Sequence, residues 1–268
     1  MAIKIYTKKE VVKIYDSGMI AFETHMMLVK HLRPGISTMA LDKIATDFIR
    51  SKGCEPSFLG YGGFPACLCT SINDGVVHGV PKEDEILKEG DIIGIDLGVI
   101  RDGYYSDTAW TWPIGQVSDA DRSLIETTQK CLYKGLNEAR ATNRIGAIGE
   151  VVQKHAEANG CSVVRELVGH GVGSSVHEEP QVPNYGKKKN GPKIRSGMVL
   201  AIEPMVCAKS HQVYTDKDDK WTVRTKDGAK SAHFEHTVAV TADGPMICTM
   251  PKGSKINVFE LTQDLIKV

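Results

Sequence analysis

The chain has 268 residues, with 33 basic and 33 acidic side chains. That balance offers no net field for nucleic acid or for any strongly charged partner. The length allows one large domain or two small ones, and no apolar run approaches the roughly 18 residues that a membrane span needs. Met1-Ala2-Ile3-Lys4 leads into a polar helix start without an apolar stretch, so no secretory signal is expected. Seven cysteines, an odd number, fit free thiols in a reducing cytoplasm better than a disulfide framework. Cys67 and Cys69 are too close for a C-x-x-C pair and read as strand residues.

Taken in order, Thr7-Lys8-Lys9-Glu10 is a capping box that opens a helix. Val11, Tyr15, Phe22, Met26 and Val29 follow at helical spacing as its inner face. Arg33-Pro34-Gly35 stops it. A second helix starts near Thr38, buries Leu41, Ile44, Phe48 and Ile49, and ends at Gly53. Phe58 to Pro65 is a glycine-rich loop set with aromatics. Strand residues 66–72, a turn at Asn73-Asp74-Gly75 and a short strand 76–80 holding His78 come next. A third helix begins at Ser118, with Leu124, Ile125, Leu132 and Leu136 inward, and a fourth covers 145–159. Residues 163–168 read as a strand running into Gly169-His170-Gly171. Residues 183–192 form a polar loop, 198–208 a strand broken at Glu203-Pro204, and 216–220 an exposed turn. A hairpin at 221–228 and a long last strand, 232–241, carrying Glu235 and His236, complete the series. Helices followed by strands, twice over, predict an α+β chain built as one catalytic domain, 1–268, with pseudo-symmetric halves at about 8–113 and 118–250.

One stretch organises the rest. Residues 94–110 read as two strands joined at Asp102-Gly103, the signal of a two-residue type I′ hairpin. With that loop, Arg101 faces Tyr104 and Gly98 faces Asp107. Side-chain alternation then puts Asp96 and Asp107 on one face as diagonal neighbours, about 7–8 Å apart at Cα, and Gly98 leaves no side chain between them. A three-residue loop would reverse the parity. The hairpin alone is equally compatible with two solvated aspartates. Three further candidates, His170, Glu203 and Glu235, lie on strands or in glycine-rich sequence. Four carboxylates and an imidazole suit Mn²⁺, Co²⁺, Fe²⁺ or Zn²⁺ in expanded coordination, and four negative charges balance two divalent ions. Such a pair of ions supplies a nucleophile at neutral pH and an electrophile for a carbonyl.

The set resembles a known family. Asp96 with Asp107, Gly-His170-Gly, Glu203-Pro-Met and Phe-Glu235-His-Thr follow the ligand order of the pita-bread metallopeptidases, family M24. Tyr61-Gly-Gly-Phe64-Pro, Cys69-Thr-Ser-Ile-Asn, His78-Gly-Val-Pro, Gly-His170-Gly-Val-Gly and His177-Glu-Glu-Pro-Gln are similar to the type I methionine aminopeptidases, from about Lys9 to Met250. The resemblance implies a pita-bread fold, a curved antiparallel sheet covered by helices. It implies hydrolytic removal of N-terminal methionine before a small second residue, by a metal-bridging water that attacks the peptide carbonyl. It assigns Asp107, His170 and Glu203 to one metal and Asp96 to the other, with Asp107 and Glu235 bridging. His78 is then expected near the scissile amide, His177 at the carbonyl oxygen, and Glu203 as proton shuttle. Tyr61, Phe64, Cys69 and Trp221 match the methionine pocket, and aromatics with a thiol suit a thioether.

Three positions depart from the family's wording. Asn73-Asp74, followed by Gly75, stands where Asn-Glu is usual, Val77 precedes His78 where Cys is frequent, and Val176 precedes His177 where Phe is frequent. Val176 is expected to widen the pocket mouth. The helical insertion of type II enzymes does not occur between His177 and Glu203, and a zinc-binding extension like that of eukaryotic type I enzymes is not expected, the pattern of a minimal bacterial form. The X-Pro peptidases share the ligands but carry a large preceding domain, whereas here the first ligand is residue 96. A binding module reusing this fold would be expected to lose ligands, and all five are present. Expected partners are the N-termini of nascent polypeptides at the ribosome. Neither nucleic acid, membrane nor a second subunit is expected, and the location is cytoplasmic.

Overall fold

The computed structural model describes residues 2–254 and 256–263. Thr7 caps helix α1, Lys8–Leu28, and Glu10 reaches back to the Thr7 backbone, a reciprocal arrangement in which the cap contributes about 1 kcal/mol. The buried side of α1 is not the expected stripe. It consists of Ile14, Ser17, Gly18, Ile20, Ala21, Thr24, His25 and Leu28, while Val11, Tyr15, Phe22 and Met26 are only partly buried. Small and polar residues face inward because backbone approaches closely there. Ser17 Oγ donates to Val99 O at 2.8 Å, and a Cβ on Gly18 would collide with Cys248 O. Helix α2, Thr38–Ser51, starts at Ser37 and buries Leu41, Ala45 and Ile49.

Strand β1, Glu55–Pro56, precedes the aromatic loop. Strands β2, Leu68–Ile72, and β3, Gly75–Val77, flank the Asn73-Asp74 turn. His78 therefore lies just past a strand rather than in one, with φ of 58°. Strands β4, Ile92–Arg101, and β5, Tyr104–Pro113, form the predicted hairpin. Asp102 and Gly103 have φ of 50° and 78°, as a type I′ turn requires. Arg101 pairs with Tyr104, Gly98 with Asp107 and Asp96 with Ala109. Helices α3, Asp119–Glu138, and α4, Ile145–Ala158, follow, with Ser118 capping the first.

The second half is more broken than its sequence pattern. Strand β6 is only Ser162–Val163, and β7 is Gly169–Gly171. Strand β8, Glu178–Val182, leads through the polar loop to β9, Val199–Ile202, and β10, Met205–Cys207, separated at Glu203-Pro204 as expected. Strand β11, Val213–Thr215, pairs with β12, Val223–Thr225, across the 216–222 turn, so the hairpin partner of β12 precedes it. The expected strand 232–241 is two strands, β13, Ser231–His233, and β14, His236–Thr241, with Glu235 in the gap. Strand β15, Gly244–Ile247, and helix α5, Val258–Gln263, extend the chain beyond the predicted elements.

All pairings are antiparallel. Strand β4 holds β5 on one edge and both β1 and β2 on the other; the other sheets run β15-β14-β9-β7-β8, β13-β10-β6 and β11-β12-β3. Helices α1 and α2 cover the first sheet, while α3 packs against α4 and against β13, β10 and β9, and α4 lies on β6 and β8. One continuous apolar cluster joins both halves, from Leu41, Ile93 and Trp112 to Leu132, Ile148, Ile202 and Phe234.

Candidate metal centre and substrate pocket

Two seams bring the carboxylates together. The first runs between β5 and residues 233–237. Glu235 N donates to Ala109 O at 2.7 Å, and Thr108 Oγ1 donates to Glu235 O at 2.9 Å. Thr237 Oγ1 accepts from Asp107 N at 2.9 Å and donates to Asp107 O at 2.8 Å. Thr111 Oγ1 likewise accepts from His233 N and donates to His233 O. Threonine hydroxyls thus replace a backbone ladder and hold Asp107 beside Glu235. The second seam is the double break. Strand β9 pairs with β14 up to Ile202 opposite His236, and β10 pairs with β13 from Met205 opposite His233. Both strands therefore open at the same level, and Glu203 and Glu235 sit in the openings. Buried Asn184 donates to Glu203 O at 3.0 Å and Phe234 N to Pro204 O at 3.3 Å, so these freed backbone groups stay satisfied.

Asp107, His170 and Glu235 each present a ligand atom within 4.8 Å of the others. His170 Nδ1 lies 2.9 Å from Gly171 O, which can only accept, so Nδ1 carries the proton. The Nε2 lone pair then faces Glu203 Oε1 at 3.4 Å and Asp107 Oδ2 at 3.8 Å. A lone pair aimed at carboxylate oxygens calls for a cation between them. The ring is neutral, because burial, with help from His177 and His78, pushes its pKa down to about 3. Asp96 Oδ1, Asp107 Oδ1 and Glu235 Oε1 are buried without hydrogen-bond partners. Burial raises all four carboxyl pKa values, Asp96 to about 7 and the others well above the usual range. Mutual repulsion adds to this at Asp96, Asp107 and Glu235. Unpaired oxygens, a presented imidazole lone pair and carboxylates that cannot all ionise alone fit divalent cations.

All eleven site residues expected from the sequence line one cavity of about 170 Å³: Tyr61, Phe64, Cys69, His78, Asp96, Asp107, His170, His177, Glu203, Trp221 and Glu235. A larger depression of about 1040 Å³ beside β14 and β15 includes none of them. Phe58, Phe64 and Cys69 form the apolar wall, with Ala66 packed in the same cluster, and burial keeps the Cys69 thiol protonated, its pKa raised well above normal. Trp221 packs edge-on against Phe64 at 5.2 Å and is fixed by Asp219, which accepts from Trp221 N and Thr222 N. His177 stands at the rim, 4.2 Å centroid to centroid from His170, with Nδ1 2.9 Å from Tyr61 OH. His78 is neutral, its pKa lowered to about 4 by burial and then by His233 and His177.

Two expectations are corrected. Gly98 does not leave open space between the aspartates: a Cβ there would collide with Ser57 Oγ and stand 3.1 Å from Phe58 Cε1. Its missing side chain lets the aromatic loop cross the hairpin and deliver Phe58 to the cavity. Val176 does not border the mouth but is buried with Phe58, Phe64 and Cys69.

His233 was not among the expected residues. It is buried behind the cavity, with Nε2 3.5 Å from Glu203 Oε2 and no closer partner. The imidazole also offsets part of the rise in the Asp96 carboxyl's pKa. The period-two spacing of His233, Glu235 and Thr237 was the available signal.

Buried carboxylates and an imidazole at the floor of a small apolar cavity define the class: a metal-dependent hydrolase. The chain belongs to metallopeptidase family M24, whose pattern matches residues 12–242. It is 50% identical to methionine aminopeptidase 1 of Bacillus subtilis over 91% of this chain and 97% of that one. The crystal structure of methionine aminopeptidase from Rickettsia prowazekii superposes with a TM-score of 0.91 at 40% identity, covering 93% of this chain and all of that one. A Xaa-Pro dipeptidase from Bacillus anthracis shares the fold, with a TM-score of 0.72 at 21% identity, and this chain covers 63% of it. The pita-bread architecture expected from the motifs is thus the observed one.

Proposed function

We propose that the protein is a methionine aminopeptidase that releases N-terminal methionine when the second residue is small. The observation that carries this reading is the junction of an aromatic and thiol-lined wall with the carboxylate cluster in one small cavity. An unbranched thioether fits such a wall, and the amide that follows it then meets the acidic floor. Asp96, Asp107, His170, Glu203 and Glu235 would hold two divalent cations at the floor of the cavity. Such cations, Mn²⁺, Co²⁺, Fe²⁺ or Zn²⁺, supply Lewis acidity for the carbonyl and acidify water at neutral pH.

The remaining steps belong to the chain's own groups. Glu203 takes a proton from the attacking water and returns it to the departing amine. Tyr61 OH donates to His177 Nδ1, which leaves the Nε2 proton for the carbonyl oxygen as it gains charge. His78, held neutral, lies near the scissile amide. The working substrates are nascent polypeptides at the ribosome, met by a cytoplasmic monomer that needs neither nucleic acid nor membrane. Peptide turnover tests the reading: Met-Ala-Ser should be cleaved far faster than Met-Arg-Ser, and Ala-Pro-Ser not at all. Comparable rates on Met-Arg-Ser, or cleavage of Ala-Pro-Ser, would overturn it.

A further inference from the structure

The residues before α1 are tied to the loop that carries His177. Tyr6 N donates to Gly197 O at 2.7 Å, which lays this segment across the turn leading into β9. The Tyr6 ring is 8% exposed and fills a slot over Gly173, where a Cβ would overlap the phenol. Its hydroxyl lies 2.8 Å from Glu178 Oε2 and accepts from Ser174 N at 2.8 Å. Lys4 Nζ lies 2.9 Å from Glu178 Oε1, which also accepts from Ser174 N at 3.0 Å and Ser174 Oγ at 2.8 Å. Lys4 also contacts Ser174 Oγ. Burial would raise the Glu178 pKa, but Lys4, Tyr6 and Ser174 outweigh it and keep the group an anion. Burial foremost pushes the Tyr6 phenol to about 12, so it stays a donor toward that anion.

This carboxylate is therefore the hub of the 173–178 loop, and His177 is its immediate neighbour in the chain. The far side of the loop is tied to the metal-centre hairpin, where Tyr105 N donates to Gly173 O at 2.7 Å. Among the described residues, the His177 side chain is held by Tyr61 OH and by packing on the Tyr61 and His170 rings. Among the described contacts, the anchors that set its position are the two ends of its loop.

We propose that Lys4 and Tyr6 form a latch on Glu178 that positions His177 over the cavity. They are positioning residues for the hydrolysis and touch no reacting atom. The inference rests on the oxyanion role proposed above for His177.

The test compares Tyr6→Phe, His177→Ala and the double variant, all metal-loaded, with Met-Ala-Ser as substrate. Tyr6→Phe keeps the ring in its slot and removes only the hydroxyl. Its kcat should fall about tenfold with KM within twofold and an unchanged melting temperature. Amide exchange at residues 174–177 should quicken at least tenfold while the β5 amides keep wild-type protection. The double variant should be no slower than His177→Ala alone, because coupled residues do not contribute independently. Wild-type kcat and exchange in Tyr6→Phe would overturn the latch, as would multiplicative losses in the double variant. Full turnover in His177→Ala would instead remove the oxyanion role, and the exchange result would still decide whether the latch exists.

Discussion

Asp96 and Asp107 reach the centre on an unbroken hairpin; Glu203 and Glu235 reach it at two breaks. On the hairpin every residue has a partner across the ladder, and register alone sets which side chains share a face. That geometry keeps the Cα atoms of the two aspartates about 7–8 Å apart on one face, and their carboxyl groups converge from there. At the breaks two neighbouring strands leave their ladder at the same level, and each turns a glutamate into the gap. A break exposes backbone polar groups, which is unfavourable when buried. Here Asn184, Ala109 and Pro204 take up those described above. Regular pairing places ligands by arithmetic, whereas a break places them by local hydrogen bonds and depends on the surrounding core.

The comparison can be broken from either side. The largest effect is expected for Asp107→Ala and Glu235→Ala, one from each region. Each removes a carboxylate that the family resemblance implies is shared by two cations, with an expected loss of several kcal/mol of Lewis-acid stabilisation, or roughly 10³-fold or more in kcat. Elemental analysis should show metal content falling with activity in both; full metal content in either variant would mean that it does not bridge. Next comes His177→Ala, which should keep its metals and fold and lose about 10²–10³ in kcat with little change in KM. Metal loss in that variant would make His177 a ligand. The smallest effect is expected at His233, whose nearest carboxylate is Glu203 in the broken-strand region. His233→Leu should weaken metal binding about 10–100-fold, as removal of a group supporting a ligand does, while His233→Gln retains an N–H and much of the affinity. Competition with a chelator gives the constants. Equal affinities in the wild type and His233→Leu would remove His233 from the site.

The same contrast explains what was legible in the sequence. The hairpin could be read residue by residue because Asp-Gly demands one turn, and one turn determines every pairing. The break at Glu203 was legible because Pro204 lacks the N–H that a central strand needs. The break at Glu235 was not, since Phe234 and His236 continue a good strand pattern and the interruption comes from Thr108 and Ala109 of another element. His233 was overlooked for the same reason, its role being set by Glu203 on the neighbouring strand. The inner face of α1 was misjudged because apolar spacing was taken as the guide. Close backbone approach at Val99 and Cys248 instead selects Ser17 and Gly18. Motif wording identified the pocket residues, but it could not say that Val176 lies behind the wall or that Ser57 fills the space over Gly98.

The central claim is that the two regions repel each other until cations join them. Carboxyls with raised pKa hold protons in the metal-free fold that the unfolded chain has already released, so stability falls as pH rises through the folded values. Below about pH 6.5 the buried histidines, with lowered pKa values, oppose this trend, and near pH 8.5 thiols released on unfolding begin to ionise. Between pH 6.5 and 7.5 the carboxylates dominate, and the Asp96 value of about 7 lies inside that window. Thermal unfolding of chelator-stripped protein across it, with and without added Mn²⁺ or Co²⁺, is the direct measurement. The melting temperature of the stripped protein should fall as pH rises, and the metal should raise it most at pH 7.5. A flat profile in the stripped protein, or a metal effect that shrinks toward pH 7.5, would contradict the account.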